Sequence, residues 1–176
     1  AGLRKGHCYT NVKRAYTRKS KYQAKSFIKS IPVNKIVRYH MGEQFKEFDT
    51  LIHLVSKQHI QLRHNAIESS RQMVNRNLEK HLGKVNYYFN IRLYPHHILR
   101  ENKMLTGAGA DRMQTGMQRA FGRAVGVAAQ VRKQQKIFTI KVNKEQITKV
   151  KSILTSCFSR LPGSYSLLIE DNTKKN

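Results

Sequence analysis

Two apolar rows with the period of an α-helix, separated by segments that alternate like strands, set the fold class of this chain. The first row predicts a helix over residues 59–82 that Gly83 ends, and its members are Ile60, Ile67, Val74, Leu78 and Leu82. The second row follows Asn143 and Glu145 and stops at Pro162, and its members are Ile147, Val150, Leu154, Cys157, Phe158 and Leu161. The chain is therefore predicted to have two main helices.

The segments around these helices are rich in the β-branched and aromatic residues that are typical of strands. Strands are predicted at residues 35–40, 48–57, 86–95, 97–102, 125–133, 136–143 and 165–170. This order of elements indicates an α+β sandwich, in which both helices pack on one face of an antiparallel or mixed sheet. We expect a single domain over residues 34–170, an N-terminal arm over residues 1–33 and a frayed tail over residues 171–176.

Residues 104–123, MLTGAGADRMQTGMQRAFGR, follow neither period. A long irregular segment inside a compact domain is uncommon unless it is functional or disordered. Glycines allow close approach of the backbone, arginines bind phosphates, and methionines fill irregular apolar gaps. Residues 103–123 are therefore predicted to form a loop that projects from the domain and inserts among nucleotides. A disordered linker is the alternative.

The charge of the chain favours a polyanionic partner. There are 34 Lys and Arg residues against 10 Asp and Glu, a net charge of +24, and nucleic acid is the first partner that such an excess suggests. The first 42 residues contain eleven cations and no acid, with Tyr9, Tyr16 and Tyr22 among them. Cations for phosphates and rings for bases suit irregular RNA, whereas a solvated tail is the alternative. No membrane partner is expected, because no segment has the apolar length of a transmembrane helix.

Enzymatic, cofactor and metal chemistry have little support in the sequence. His96 and His97 beside Glu101 could form the acid–base site of an RNA-processing nuclease, but adjacent residues of a strand point to opposite faces. The run GAGADR lacks the third glycine of a dinucleotide-binding loop, because Arg112 takes that place. Cys8 and Cys157 are expected to be reduced thiols of an intracellular protein. We therefore expect no catalytic residues, no cofactor and no metal.

Three stretches of the chain resemble one known family. These stretches are CYTNVKRAYTRKSKY near the start, QLRHNAIESSRQMVNRNL on the first predicted helix, and YPHHILRENKMLTGAGADRMQTGMQRAFGRAVGVAAQV around the loop. They are similar to the universal large-subunit ribosomal L-sixteen family, in the branch called L-ten or L-ten-e. The likeness runs from about Gly2 to Ile169. Ala124 replaces a proline that is common in relatives, and the arm at residues 19–33 is unusually rich in lysine. The end of the chain soon after its last strand favours the archaeal type.

The resemblance implies an α/β-hammerhead fold and a structural role in the large ribosomal subunit. It implies binding to large-subunit rRNA beside the aminoacyl-tRNA site, with the loop reaching toward the peptidyl-transferase centre and the tRNA acceptor end. It also implies a cytoplasmic protein that is a monomer within the ribosome, next to other ribosomal proteins. A nuclease, or a free-standing RNA-binding or chaperone module, is the alternative function.

The charge pattern and the resemblance together give the candidate residues for contact with rRNA or tRNA. They are Arg4, Lys5, Tyr9, Lys13, Arg14, Tyr16, Arg18, Lys19, Lys21 and Tyr22 in the arm, Arg63 and Arg71 in the first predicted helix, and Arg100, Asn102, Lys103, Gly107, Gly109, Arg112, Gln114, Arg119 and Arg123 in and around the loop.

Overall fold

A computed structural model of the chain describes residues 4–17, 19–102, 107–108, 117 and 122–172. Within these residues there are eight strands and two α-helices. The strands are β1 (His40–Gly42), β2 (Thr50–Ser56), β3 (Ile60–Arg63), β4 (Tyr88–Ile91), β5 (His97–Glu101), β6 (Arg123–Val131), β7 (Lys136–Val142) and β8 (Tyr165–Asp171). The helices are α1 (His64–Leu82) and α2 (Ile147–Ser156), and a short 3-10 turn, Cys157–Arg160, extends α2.

The strands form two antiparallel sheets, which confirms the α+β class. The larger sheet has the order β1-β4-β7-β2-β8, and the smaller sheet has the order β3-β6-β5. Every strand pairing is antiparallel. The division into two sheets was not predicted. The smaller sheet carries the central loop, because β5 and β6 form a hairpin and the loop connects them.

One apolar cluster joins the larger sheet to both helices. Phe89 on β4 and Phe138 on β7 meet edge to face, with ring centroids 5.3 Å apart and ring planes at 87°. Alternate residues of β2 lie in the same cluster, and so do the apolar rows that predicted the two helices. This burial of one sheet face against amphipathic helices is the main source of the stability of the domain.

The first helix begins later than predicted. Residues 59–63 were assigned to it, but Ile60–Arg63 is strand β3, which pairs with β6 from Ile60 opposite Val131 to Arg63 opposite Ala128. Ile60 is buried in this strand. A short apolar segment fits either period, so its backbone partners decide its structure.

The predicted strand at residues 35–40 is also wrong except at its last residue. The backbone N–H groups of residues 35–37 donate to side chains in place of a neighbouring strand. The N–H of Ile36 donates to Asn34 Oδ1 at 3.1 Å, and the N–H of Val37 donates to Glu68 Oε2 at 3.3 Å. The segment therefore lies against α1 as an irregular connection, and the strand begins at His40.

Candidate nucleic-acid interface

The N-terminal arm lies against the smaller sheet along residues 9–16. The backbone N–H of Gln61 on β3 donates to the carbonyl of Thr10 at 3.0 Å, and its side-chain amide donates to the carbonyl of Tyr9 at 2.9 Å. The side-chain amide of Gln130 on β6 donates to the carbonyl of Lys13 at 2.7 Å. These bonds fix the backbone of the arm to the sheet.

A second group of contacts fixes the arm to β5. The backbone N–H of Tyr16 donates to Nδ1 of His97 at 2.7 Å, and the N–H of Ile98 donates to the carbonyl of Tyr16 at 3.1 Å. Further along the arm, Ile28 is buried in a small apolar cluster with Ile98 and Val127. Tyr16 therefore bonds to the edge of β5 much as a neighbouring strand would.

His97 is a buried hydrogen-bond acceptor for the arm. Its pKa is lowered by burial, with smaller contributions from neighbouring His96 and Arg100. A neutral ring can accept the Tyr16 N–H at Nδ1, whereas a protonated ring carries a hydrogen on both nitrogens and cannot. His96 is half-buried just before β5, and its Nδ1 faces the carbonyl of Tyr94. The structure therefore gives the two histidines separate structural contacts, which is not the convergent pair that a nuclease requires.

Glu101 holds two arm residues at the start of the loop. Its carboxylate accepts a hydrogen bond from the hydroxyl of Tyr9, and Nε of Arg4 lies 3.5 Å away. The guanidinium of Arg63 lies 5.1 Å from the centroid of the Tyr9 ring, and that of Arg100 lies 3.9 Å from the centroid of the Tyr16 ring. Each of these rings thus contacts a cation of the protein itself, which limits the stacking on RNA bases that the sequence suggested.

A cleft of about 580 Å³ separates the arm from β5. Arg4, Lys13 and Arg100 bring positive charge to its walls, and Glu101 is the acid among the residues that line it. Nη1 of Arg100 is buried and has no hydrogen-bond partner among the described residues. A guanidinium N–H in this state calls for an acceptor that lies outside the described residues.

The two ends of the loop meet in a narrow neck at Glu101 and Gly122. Glu101 pairs with Arg123 as the last register of the β5–β6 hairpin. Gly122 has a φ of 115°, and a Cβ there would lie 2.9 Å from both the carbonyl oxygen of Glu101 and Sδ of Met117. A side chain is excluded at this position by both conformation and space.

The other candidate residues fall into four groups. Exposed at the surface are Lys5, Lys13, Arg14, Lys21, Tyr22, Gly107 and Arg123. Half-buried are Lys19 and Asn102. Arg71 belongs to an internal ion pair. Outside the described residues are Arg18, Lys103, Gly109, Arg112, Gln114 and Arg119.

Arg71 is held inside the protein by Glu68. The two form hydrogen bonds of 2.6 and 2.8 Å, and the Arg71 side chain is 11% exposed. Burial raises the pKa of Glu68, but the hydrogen bonds from Arg71 and Gln72 outweigh it and hold the pKa below its ordinary value. Arg71 therefore holds the Glu68 carboxylate, which in turn binds the backbone of Val37. It is poorly placed to contact RNA.

Sequence reasoning missed the residues that hold the arm, which are Gln61, Gln130 and His97. Gln61 and Gln130 face each other across β3 and β6, and their side chains are 3.2 Å apart. A glutamine inside an apolar strand was the available signal, because a buried amide must find hydrogen-bond partners.

The described part of the chain has neither a membrane-spanning helix nor a cluster of metal ligands. No helix there is long and apolar enough to cross a membrane. No group of three or more His, Cys, Asp or Glu residues in the same part could hold a metal ion.

These features define a strongly basic α+β protein with an arm docked beside the neck of a long loop. A family model described as ribosomal protein L16p/L10e matches residues 12–168. The chain belongs to this family, as the resemblance in its sequence implied.

The relatives include archaeal proteins, each named large ribosomal subunit protein uL16. The protein of Methanococcus maripaludis strain C7 is 45% identical over 95% of this chain and 94% of its own length. That of Methanospirillum hungatei is 45% identical over 92% of each chain. That of Methanosphaerula palustris is 43% identical over 96% of this chain and 97% of its own.

We predict that His97 makes the stability of the protein depend on pH. Because the pKa of His97 is lower in the folded state than in the unfolded state, the unfolded state binds more protons as the pH falls through about 6.5. The contribution of His97 is therefore present above that pH and is lost below it. The variant His97→Gln keeps a side-chain acceptor without the titration. Its Tm should fall less than that of the wild type between about pH 7.5 and pH 5.

The control is His81→Gln, which changes an exposed histidine near the end of α1. Its Tm should follow the wild type at every pH. Parallel curves for the wild type and His97→Gln would show that His97 does not contribute to the pH dependence.

Proposed function

We propose that this protein is a structural constituent of the large ribosomal subunit that binds large-subunit rRNA near the aminoacyl-tRNA site. The observation that carries this proposal is the family match over residues 12–168, together with relatives of about 45% identity named as large-subunit proteins. The match spans both sheets, both helices and the loop. The role is structural rather than enzymatic.

The arm and the cleft form the proposed rRNA-binding surface. Exposed cations at Lys5, Lys13 and Arg14 lie on an arm whose backbone is already fixed to the domain. A surface that is ordered before binding loses less conformational entropy when it meets its partner. Arg100 lines the cleft, and its guanidinium offers further donors to a phosphate oxygen there.

The loop is the proposed contact with tRNA. It starts after Glu101 and ends at Gly122, and the antiparallel pairing of β5 with β6 gives it a fixed base. We propose that residues 103–118 reach toward the peptidyl-transferase centre and help to position the acceptor end of tRNA. The glycines and Arg112 suit close contact with nucleotides.

Sedimentation through a high-salt wash tests the ribosomal role. We expect a tagged protein, expressed in a related archaeon, to stay with the large subunit after washing, because a constituent packed into rRNA does not exchange readily with solution. Release into the supernatant with other loosely bound RNA-binding proteins would contradict a constituent role and favour a free-standing module.

Shortening the loop separates assembly from tRNA positioning. We predict that replacing residues 104–116 by a short Gly-Ser link leaves folding and subunit incorporation largely intact, because loop closure entropy changes slowly with length. Single-turnover dipeptide formation by those subunits should be slower than with the wild type. Circular dichroism, subunit incorporation and dipeptide formation are the three measurements.

The matched control replaces residues 104–116 by a Gly-Ser segment of the same length. It removes the side chains of the loop but keeps its reach. If both variants incorporate normally and form dipeptide at the wild-type rate, the loop does not position tRNA. If the full-length replacement alone restores the rate, the reach of the loop matters and its side chains do not.

A further inference from the structure

Helices α1 and α2 lie side by side in opposite directions. Nη1 of Arg160, in the turn that extends α2, donates to Oγ of Ser69 at 2.8 Å. Four residues earlier, the hydroxyl of Ser156 lies 3.5 Å from Sδ of Met73 on α1. From the first contact to the second, the position on α1 advances by four residues, whereas the position on α2 goes back by four. The two helices are therefore antiparallel.

These contacts identify the row of side chains that each helix turns toward the other. Residues at positions i, i+4, i+7 and i+11 share one face of a helix. The row on α1 is Ser69, Met73, Arg76 and Lys80, and the row on α2 is Lys149, Ile153, Ser156 and Arg160. We name these eight positions the interhelical seam. Because the helices are antiparallel, Lys149 falls at the end of the seam that carries Lys80.

The seam is a concentration of positive charge without an internal counter-charge. Arg76, Lys80, Lys149 and Arg160 are all exposed, and none of the eight positions is acidic. The acid beside Lys80 on α1 is Glu79, which pairs with Lys84 at 3.0 Å. Like charges on facing helices repel, so this arrangement is favourable only with an anionic partner.

The chemistry of the seam fits phosphates better than it fits a protein surface. Its two apolar members, Met73 and Ile153, pack into the core, so what the seam presents outward is cations and hydroxyls. Stable protein interfaces have an apolar centre, whereas contact with the backbone of an RNA helix is made by Lys, Arg and hydroxyl side chains. The row on α1 is about 16 Å long, which is long enough for several successive phosphates.

We propose that the interhelical seam is a second rRNA-binding surface, which takes the phosphate backbone of an RNA helix. It is formed by different elements from the arm, the cleft and the loop. The proposal rests on the ribosomal function proposed above and adds that the protein is held by rRNA on the helical layer as well. It assigns a role to Arg76, Lys80 and Lys149, which are outside the surface proposed above.

The test is the salt dependence of binding to a large-subunit rRNA fragment by the whole protein. The seam variant is Arg76→Gln with Lys80→Gln and Lys149→Gln, which keeps helix propensity almost unchanged. Arg160 stays in place because it bonds to Ser69. Each phosphate contact contributes roughly 0.7 to 0.9 to the slope of log K against log salt, so the slope should become shallower by about 2 to 3.

The matched control removes the same charge elsewhere. It is Lys57→Gln with Lys133→Gln and Lys151→Gln, three exposed lysines outside the seam, and it should change the slope by no more than about one. A charge-conserving variant, Arg76→Lys with Lys80→Arg and Lys149→Arg, should keep the slope of the wild type. Circular dichroism should show the same fold for all variants.

An unchanged slope in the seam variant, or equal decreases in the seam and control variants, would overturn the proposal. A seam variant that keeps its slope but no longer enters the subunit would also overturn it and would point to an acidic protein surface. If the wild type itself does not bind the rRNA fragment, the ribosomal function fails. The two failures can be told apart: if only the seam proposal is wrong, the wild type still binds the fragment and the seam substitutions leave its salt slope unchanged.

Discussion

The scarcity of carboxylates is the constraint on which this structure depends. With 10 acids for 34 Lys and Arg residues, a few acids hold several groups each. Glu68 binds Arg71 and the backbone of the segment on α1, Glu101 binds Tyr9 and Arg4, and Glu170 binds Lys136 at 2.8 Å and His53 at 3.2 Å. These carboxylates therefore fix chain segments in place, while cations without an acid partner accumulate on the surface. The excess of cations over acids that suggests an RNA partner thus also limits where ion pairs can link segments of the chain.

The docking of the arm shows how a basic segment can bind to a basic domain. Most of its described contacts are neutral: backbone carbonyls accept from the amides of Gln61 and Gln130, and the imidazole of His97 accepts from a backbone N–H. Neutral hydrogen bonds require no counter-charge, and the lysine side chains of the arm can remain in solvent. An arm attached in this way keeps its cations for an external partner. This accords with the shortage of acids, because ion pairs at these anchors would need carboxylates that are few in this chain and partly engaged elsewhere.

The sequence predicted most of the fold because most of the elements have clear periods. The second helix and strands β2, β7 and β8 are local patterns, and the structure confirms them. The errors came where long-range partners decide the structure, as at Ile60–Arg63, which pairs with a strand more than sixty residues later. The candidate site was less predictable for the same reason. The i,i+3 spacing of Glu68 and Arg71 on the predicted helix was a local signal for their pairing. Sequence alone cannot show that Tyr9 and Tyr16 contact cations of their own chain, because any of the many cations could have taken those places.

Hydrogen exchange of the free protein near pH 7.5 tests the central claim that the arm is fixed to the smaller sheet before RNA binds. The backbone N–H of Tyr16 is the most informative probe, because its acceptor is His97 and no helix or strand of the arm protects it. We predict that it exchanges much more slowly than the rate for an unstructured peptide, as buried hydrogen-bonded amides do. It should exchange faster in His97→Ala than in the wild type, while the amides of the larger sheet stay protected in both. Exchange of Tyr16 at the unstructured rate in the wild-type protein would show that the arm is free in solution and orders only on RNA.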